Sequence, residues 1–289
     1  MRCAIRRAIG RGLIPRPILG LAACLCLQSA RAAAPLLDPP PPAAPRLNAE
    51  EIAQIVRIDE ISIPTPGELL AAVDKTGKLD WAARFRAPIA TGFRSRAQMA
   101  LNLGGLVADG YIAVQAQDAQ QVKNIGRDIV ALARPLGVHQ DLINRGKSVT
   151  DFASESQWEP LREELEATQN EAKIALAENK DSKLIELVTI GGWLRGAEAL
   201  ATHVSLQYAP QTAALLRQPG IAHFLNEHLD ALPEKLREDA VIRAIRPKLA
   251  RVEQIVSFGA GQIPTQQDAA ELSRLLVDAL AEIGRRDVK

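Results

Sequence analysis

The sequence has little cysteine, and all of it lies near one end. The 289-residue chain contains three cysteines, Cys3, Cys24 and Cys26. A chain cleaved after residue 32 would therefore contain no thiol. Such a protein could form no disulfide, no thiolate metal site and no thioether haem attachment, and it could use no cysteine nucleophile.

Aromatic residues and long apolar runs are also scarce. Phe, Trp and Tyr together make up 3% of the residues, so a core has to be built mainly from Leu, Ile, Val and Ala. The apolar run at residues 17–27 is shorter than the ~20 residues that a membrane-spanning helix needs. A later apolar stretch is interrupted by Asn102 and Asp109. The sequence therefore predicts no transmembrane helix in the mature chain.

The first 32 residues predict export. Five arginines and no acid occupy the first 17 positions, and a short apolar run and an A-x-A site at 30–32 follow. This order is typical of a secretory signal peptide, and it predicts a mature protein in the bacterial periplasm or cell envelope. Two alternatives stay open. Leu21–Cys24 resembles a lipobox, which would make Cys24 the lipid anchor of a lipoprotein, and Arg6–Arg7 resembles a twin-arginine signal.

Removal of this segment changes the charge balance. The whole chain has a formal net charge of +1, but residues 1–32 hold six arginines and no acid, which leaves 29 bases and 34 acids, a net −5. Because nucleic-acid binding requires a basic surface, the sequence predicts no nucleic-acid partner. The next residues, 33–47, contain PLLDPPPPAAP and predict a Pro-rich linker of polyproline type. A disordered remainder left by cleavage is the alternative.

Residues 48–289 are predicted to form an all-α domain. Ala, Leu, Glu and Arg dominate, and no alternating run rich in β-branched residues is sustained. The pattern predicts a bundle of about ten to twelve helices, several of them short, around central Gly/Ala-rich helices at 95–117 and 182–208. Two joined halves, 48–137 and 138–289, are an alternative division.

Periodicity and capping residues place the individual helices. The predicted bounds are 49–57, 66–75, 81–86, 95–117, 119–134, 139–153, 157–179, 182–208, 210–217, 219–230, 234–257 and 266–284. Four starts are marked by a capping residue with a polar partner three residues later: Thr65 with Glu68, Asp118 with Gln121, Ser156 with Glu159, and Thr265 with Asp268.

Each central helix contains a Gly-Gly pair. Residues 95–107, SRAQMALNLGGLV, align without gaps with residues 182–194, SKLIELVTIGGWL. Chance similarity in a biased composition explains this better than duplication of a helical unit, which stays an alternative. A glycine costs a helix interior about 1 kcal/mol relative to alanine, so each pair needs a reason. Gly192 and Gly196 form a small-residue groove, and no strand or phosphate-binding spacing accompanies them, so we predict close helix packing rather than a ligand cradle.

Two opposite charges are expected at the centre of the bundle. Asp109 and Arg195 lie on the Gly-Gly helices, and a buried charge without a partner is costly, so we predict that they pair, joined by Asn102 or His203. Such a polar pocket could bind the carboxylate or hydroxyl of a small, largely apolar ligand, which makes Asn102, Asp109, Arg195 and His203 candidate ligand-binding residues. A structural ion pair, or two side chains that reach solvent, is the alternative.

A weaker candidate is a metal site at His223 and Glu227, which lie one helical turn apart. No HExxH pattern and no second histidine at a suitable spacing accompany them, so surface polar residues are the alternative. No nucleophile motif is visible and no cofactor is predicted. The sequence favours a non-enzymatic envelope protein that binds an unknown envelope partner or supports structure. A binding module for a small apolar ligand and a metal-dependent hydrolase are the alternatives.

Overall fold

The chain is helical throughout the residues that the structure describes. A computed structural model describes residues 64–77, 79–178, 181–259 and 261–286, without the side chains of residues 139–144 and 178. These ranges contain helices and no strand, which confirms the predicted all-α class. They belong to one compact unit, Leu47–Lys289. The predicted signal peptide, Pro-rich linker, first helix and Cys24 lie outside the described residues, and the division into two halves stays a prediction.

Eleven α-helices follow one another in the described ranges. They are α1 Pro66–Asp74, α2 Arg96–Gln115, α3 Ala119–Leu136, α4 His139–Ser154, α5 Trp158–Glu178, α6 Ser182–Leu206, α7 Pro210–Ala213, α8 Pro219–Asp230, α9 Glu234–Arg237, α10 Ala240–Val256 and α11 Gln266–Gly284. Two 3₁₀ turns accompany them, at Ala82–Arg84 and Ala214–Leu216. None of the described helices combines the length and the apolar character that crossing a membrane requires.

Three of the four predicted helix starts are confirmed. Thr65 forms a reciprocal capping box with Glu68 before α1, and Thr265 forms one with Asp268 before α11. The Asp118 side chain accepts a bond from the backbone of the third residue of α3. Each side chain binds an N–H that has no partner within its helix, and this bond fixes where the helix begins.

The predicted start at Ser156 is wrong. Ser156 has a φ of 56°, in the left-handed region. Its N–H bonds back to the carbonyl of Ala153 at 3.3 Å, and the next N–H bonds to the carbonyl of Phe152 at 2.9 Å. This arrangement closes the end of α4. Helix α5 then begins at Trp158.

Two further predicted helices are shorter than expected. The range 234–257 is divided into α9 and α10, because the Asp239 carboxylate accepts from the N–H of Val241 at 3.0 Å and thereby starts a new helix. The same carboxylate accepts from the Ser95 hydroxyl at 2.5 Å. The range 81–86 contains only a 3₁₀ turn, since Phe85 adopts an extended conformation.

Helices α2 and α6 lie at the centre of the bundle. Buried residues occur on every face of both helices. The two helices pack against each other, α6 also packs against α11, and α2 also packs against α3. Helices α3, α4 and α5 pack in sequence beside them, and α10 packs between α8 and α11. Short connections between neighbouring helices suit this arrangement.

The glycines bring the backbones of α2 and α6 into contact. A β-carbon added at Gly104 would lie 1.9 Å from the carbonyl oxygen of Val188, and one at Gly191 would lie 1.9 Å from that of Leu101. Because no side chain fits at either distance, the contact requires glycine on both helices. The predicted packing role of the Gly-Gly pairs is therefore confirmed.

The groove predicted at Gly192 and Gly196 holds α1. A β-carbon at Gly192 would lie 3.1 Å from Cγ of Pro66, and one at Gly196 would lie 3.1 Å from Cδ2 of Leu69. Helix α6 thus uses glycine on two faces, one toward α2 and one toward α1. Each glycine offsets its cost to the helix by permitting close packing.

Candidate functional site

Asp109 of α2 lies between two arginines. Its Oδ1 accepts a hydrogen bond from Nε of Arg195 on α6 at 2.7 Å. Its Oδ2 accepts from Nε of Arg86 at 2.7 Å, and Arg86 belongs to the segment between the first 3₁₀ turn and α2. The predicted pairing of Asp109 with Arg195 is therefore confirmed. Sequence reasoning missed Arg86 as the third member.

The guanidinium of Arg195 is fully engaged inside the bundle. The side chain is 1% exposed, and Nη2 donates to the carbonyl oxygen of Arg84 at 2.5 Å. Nη1 contacts the carboxylate of Glu198, one turn further along α6. Arg195 thus joins α2, α6 and the end of the 3₁₀ turn through a single side chain. Its planar fork of donors suits this role better than a lysine would.

The polar contacts continue from Glu198 to α11. Oε1 of Glu198 accepts from the Thr202 hydroxyl at 2.9 Å, and the hydroxyls of Thr202 and Ser273 are 2.7 Å apart. The network contains two arginines and two carboxylates, so its charges balance. Because each buried charge has an opposite partner and hydrogen bonds, the cost of its desolvation is offset.

Gly105 leaves room for Arg86 beside α2. A β-carbon at Gly105 would lie 3.1 Å from Nη2 of Arg86. The two glycines of this pair therefore have different roles, since Gly104 contacts α6 and Gly105 faces a guanidinium. No periodic pattern could assign Arg86, because it lies in a segment without regular structure. Glu198 was a detectable partner, since it follows Arg195 by one helical turn.

Asn102 does not join the charged pair, contrary to the prediction. Its Nδ2 donates to the carbonyl oxygens of Ile283 at 2.8 Å and of Gln98 at 2.9 Å. Nε2 of Gln98 donates to Ile283 at 2.9 Å and to the carbonyl of Arg285 at 2.8 Å. Ile283 lies in the last turn of α11 and Arg285 directly follows the helix, so their carbonyls lack a helical partner, and these two buried amides satisfy them.

His203 does not join the charged pair either. Within the described residues, no hydrogen bond or ion pair connects it to Asp109 or Arg195. Burial lowers the pKa of His203 below its ordinary value, and the nearby cation of Arg84 lowers it further. His203 is therefore favoured in its neutral form, two turns along α6 from Arg195.

Two clefts lie on either side of residues 86–89. The first has a volume of about 420 Å³ and reaches Leu106, Asp109 and Ile125. The second has a volume of about 720 Å³ and reaches Glu198, Leu280 and Arg286. Of the four predicted ligand-binding residues, Asp109 alone lines either of these two clefts in the described part of the chain.

The segment between the clefts is not held to the described part of the chain by backbone hydrogen bonds. Residues 86–94 make no backbone hydrogen bond to any other described residue. The side chains of Phe85, Ile89 and Phe93 nonetheless pack against the core. Contacts of Arg86 and Arg195 fasten the start of the segment to the bundle. The segment is therefore held by its side chains, and its backbone groups, which lack only the N–H of Pro88, form no backbone hydrogen bond within the described residues.

His223 lies on the surface beside two carboxylates. Its Nδ1 is 2.8 Å from Oε1 of Glu253, and its Nε2 is 3.4 Å from Oε1 of Glu227. The hydrogen bond with Glu253 and then the charge of Glu227 raise the pKa of His223 above its ordinary value. No group of three or more His, Cys, Asp or Glu residues in the described ranges is placed to hold a metal ion. The metal site at His223 and Glu227 stays a prediction without support.

Comparison with known proteins adds no assignment. The chain matches no protein-family model, no curated protein and no solved structure.

Proposed function

We propose that this chain is an exported, non-enzymatic protein of the bacterial cell envelope that binds a partner protein through residues 86–94. One observation carries the proposal. Nine consecutive residues keep their backbone groups unbonded within the described chain, while buried charges fix the start of the segment in place. A fixed segment with available donors and acceptors is suited to pair with an extended segment of another chain.

The two clefts support this binding mode. A partner segment that runs along residues 86–94 could place side chains into the clefts of about 420 and 720 Å³ on either side. Backbone pairing would supply affinity, and the clefts would select the partner's side chains. Because the surrounding helices are closely packed, the segment would meet its partner already ordered, which lowers the entropic cost of binding.

Two of the carboxylates that line the clefts, Asp109 and Glu198, are already bound to residues of the bundle. Both oxygens of Asp109 accept from arginines, and the oxygens of Glu198 are engaged by Arg195 and Thr202. A general base must reach the proton it abstracts, and these groups are already held by charged or hydroxyl partners. We therefore assign them to fastening the binding segment. The export part of the proposal rests on the basic, apolar and A-x-A order of residues 1–32.

Site-specific photocrosslinking in the native host tests the partner surface. p-Benzoylphenylalanine placed at Ala87, which is exposed and lines both clefts, should give a discrete adduct on irradiation. The same probe at Ala250, an exposed alanine on α10, is the matched control. An adduct from Ala87 alone supports the proposal. No adduct, or the same adducts from both positions, contradicts it.

A further inference from the structure

A separate apolar pocket lies between α3, α4 and α5. Its volume is about 260 Å³, and five aliphatic side chains form its walls: Val122, Ile129, Val130, Val149 and Leu165. Val122, Ile129, Val149 and Leu165 are each no more than 9% exposed. All four belong to the hydrophobic core, and they also border this open space. The pocket shares no lining residue with the predicted ligand site at Asn102, Asp109, Arg195 and His203.

Two glycines keep this pocket open. Gly126 of α3 and Gly146 of α4 both line it, and a β-carbon added at either would meet no atom within 4 Å. They differ in this from Gly104 and Gly191, whose neighbours exclude any side chain. A helical glycine costs about as much stability here as elsewhere, yet no neighbouring atom requires it. The absence of two side chains is what preserves the volume.

The polar groups at the pocket are of two kinds. The hydroxyls of Thr150 and Thr168 donate to carbonyls of their own helices, at 2.8 and 2.6 Å, so the walls offer no free hydroxyl proton. Among the described side chains, the other polar groups that line the pocket are Lys123 and Arg127, and none is a carboxylate. Within the described residues, Lys123 makes no ion pair or hydrogen bond. Arg127 also lines the first cleft, and its Nη2 contacts Oδ1 of Asn124. Two cations, Lys123 and Arg127, thus lie beside an apolar interior.

We propose that this pocket binds the hydrocarbon chain of a free single-chain carboxylate, with the carboxylate beside Lys123 and Arg127. An apolar interior selects an aliphatic chain, and the two cations select a negative head group. At ~30 Å³ for a water-sized group, 260 Å³ accommodates roughly eight or nine heavy atoms. A chain of the length of octanoate meets this limit, because its carboxylate would remain at the opening.

Calorimetric titration of the full chain with octanoate tests the proposal. We expect one octanoate per chain and no binding of octylamine, whose head group is a cation. Gly126→Leu and Gly146→Leu should each weaken octanoate binding at least about tenfold, because leucine would occupy the pocket. Lys123→Gln should weaken it about fivefold, as expected for loss of one exposed charge pair. Lys235→Gln, at a lysine that does not line the pocket, should leave it unchanged.

Thermal melts accompany each titration. Octanoate should raise the melting temperature of the native chain and of Lys235→Gln. It should leave the melting temperatures of both leucine variants unchanged. The two leucines enter from different helices, so either variant alone suffices if the other does not fold. The proposal is overturned if the native chain does not bind octanoate, if octylamine binds equally well, or if every folded leucine variant binds as the native chain does.

Discussion

The carboxylate of Asp109 is divided between two arginines, with Oδ1 bound to Arg195 and Oδ2 bound to Arg86. Arg195 comes from a neighbouring helix, and Arg86 comes from the segment that crosses between the two clefts. The ion pair that the sequence predicted at the centre of the bundle therefore also fixes a surface segment. This relationship connects the packing of the helices to the proposed partner surface.

Loss of the Arg195 charge should destabilise the folded protein. Arg195→Met would leave Glu198 without its ion-pair partner and Asp109 with only Arg86, so we expect the free energy of unfolding to fall by about 3–5 kcal/mol. The matched control is Arg251→Met, which removes an exposed pair with Glu271 at 2.6 Å and should cost about 0–1 kcal/mol. Urea denaturation measures both values. Equal losses in the two variants would contradict a structural role for the buried network.

The glycines should divide into two classes when replaced by alanine. Gly191→Ala places a β-carbon 1.9 Å from a backbone oxygen, so α2 and α6 must separate, at a cost of about 3 kcal/mol or more. Gly126→Ala meets no atom within 4 Å and should stabilise the helix by up to about 1 kcal/mol. Gly192→Leu should destabilise the protein as well, because Pro66 leaves it no room. If denaturation curves give Gly191→Ala and Gly126→Ala the same free energy of unfolding, α2 and α6 do not touch at Gly191.

The buried side-chain amides of Gln98 and Asn102 should stabilise the last turn of α11. Asn102→Leu removes the donor to the carbonyl of Ile283, and we expect a loss of about 1–3 kcal/mol. Asn102→Asp should lose more, since a carboxylate has no N–H to donate and its charge faces carbonyl oxygens. Hydrogen exchange should accelerate in the last turn of α11 before its first turn. An Asn102→Asp variant with unchanged stability would rule out this capping role.

The pKa values of His223 and His203 should be shifted in opposite directions from the ordinary value of histidine. NMR titration should give a pKa above 6.5 for His223 and below 6.5 for His203. Because the folded-state pKa of His223 is raised, its contact with Glu253 contributes to stability fully below pH 6.5, and this contribution is lost as the pH rises through the folded-state value. Glu253→Gln should move the pKa of His223 back toward its ordinary value. If the pKa of His223 is the same in the Glu253→Gln variant as in the native chain, the contact does not form in solution.

Periodicity and capping residues predicted the helices well because both signals are local. Thr65, Asp118 and Thr265 mark helix starts through bonds that span three residues. Ser156 has the same local pattern, but the preceding helix requires its N–H for closure, and the sequence does not show which of two helices such a residue serves. The pattern of small residues predicted close helix packing at the Gly-Gly pairs for the same local reason, but it did not show which helices meet there.

The site was predicted only in part, because its contacts join distant parts of the chain. Asp109 and Arg195 were paired correctly, since two buried opposite charges have to meet. Arg86 was missed because it follows a 3₁₀ turn in a segment with no period. Asn102 was misassigned because its partner is the backbone end of α11, and a sequence gives no sign of which helix end will arrive beside a given amide.

Limited proteolysis tests most directly whether Asp109 fastens the segment proposed to bind a partner. Trypsin can cleave after Arg84 and Arg86, and cleavage there requires local release of the segment from the bundle. Under native conditions Asp109→Asn should raise these two cleavage rates at least about tenfold, while cleavage after the exposed Arg217 changes little. Mass spectrometry of the early fragments gives each rate. Unchanged rates after Arg84 and Arg86, or an equal rise at Arg217, would contradict the account.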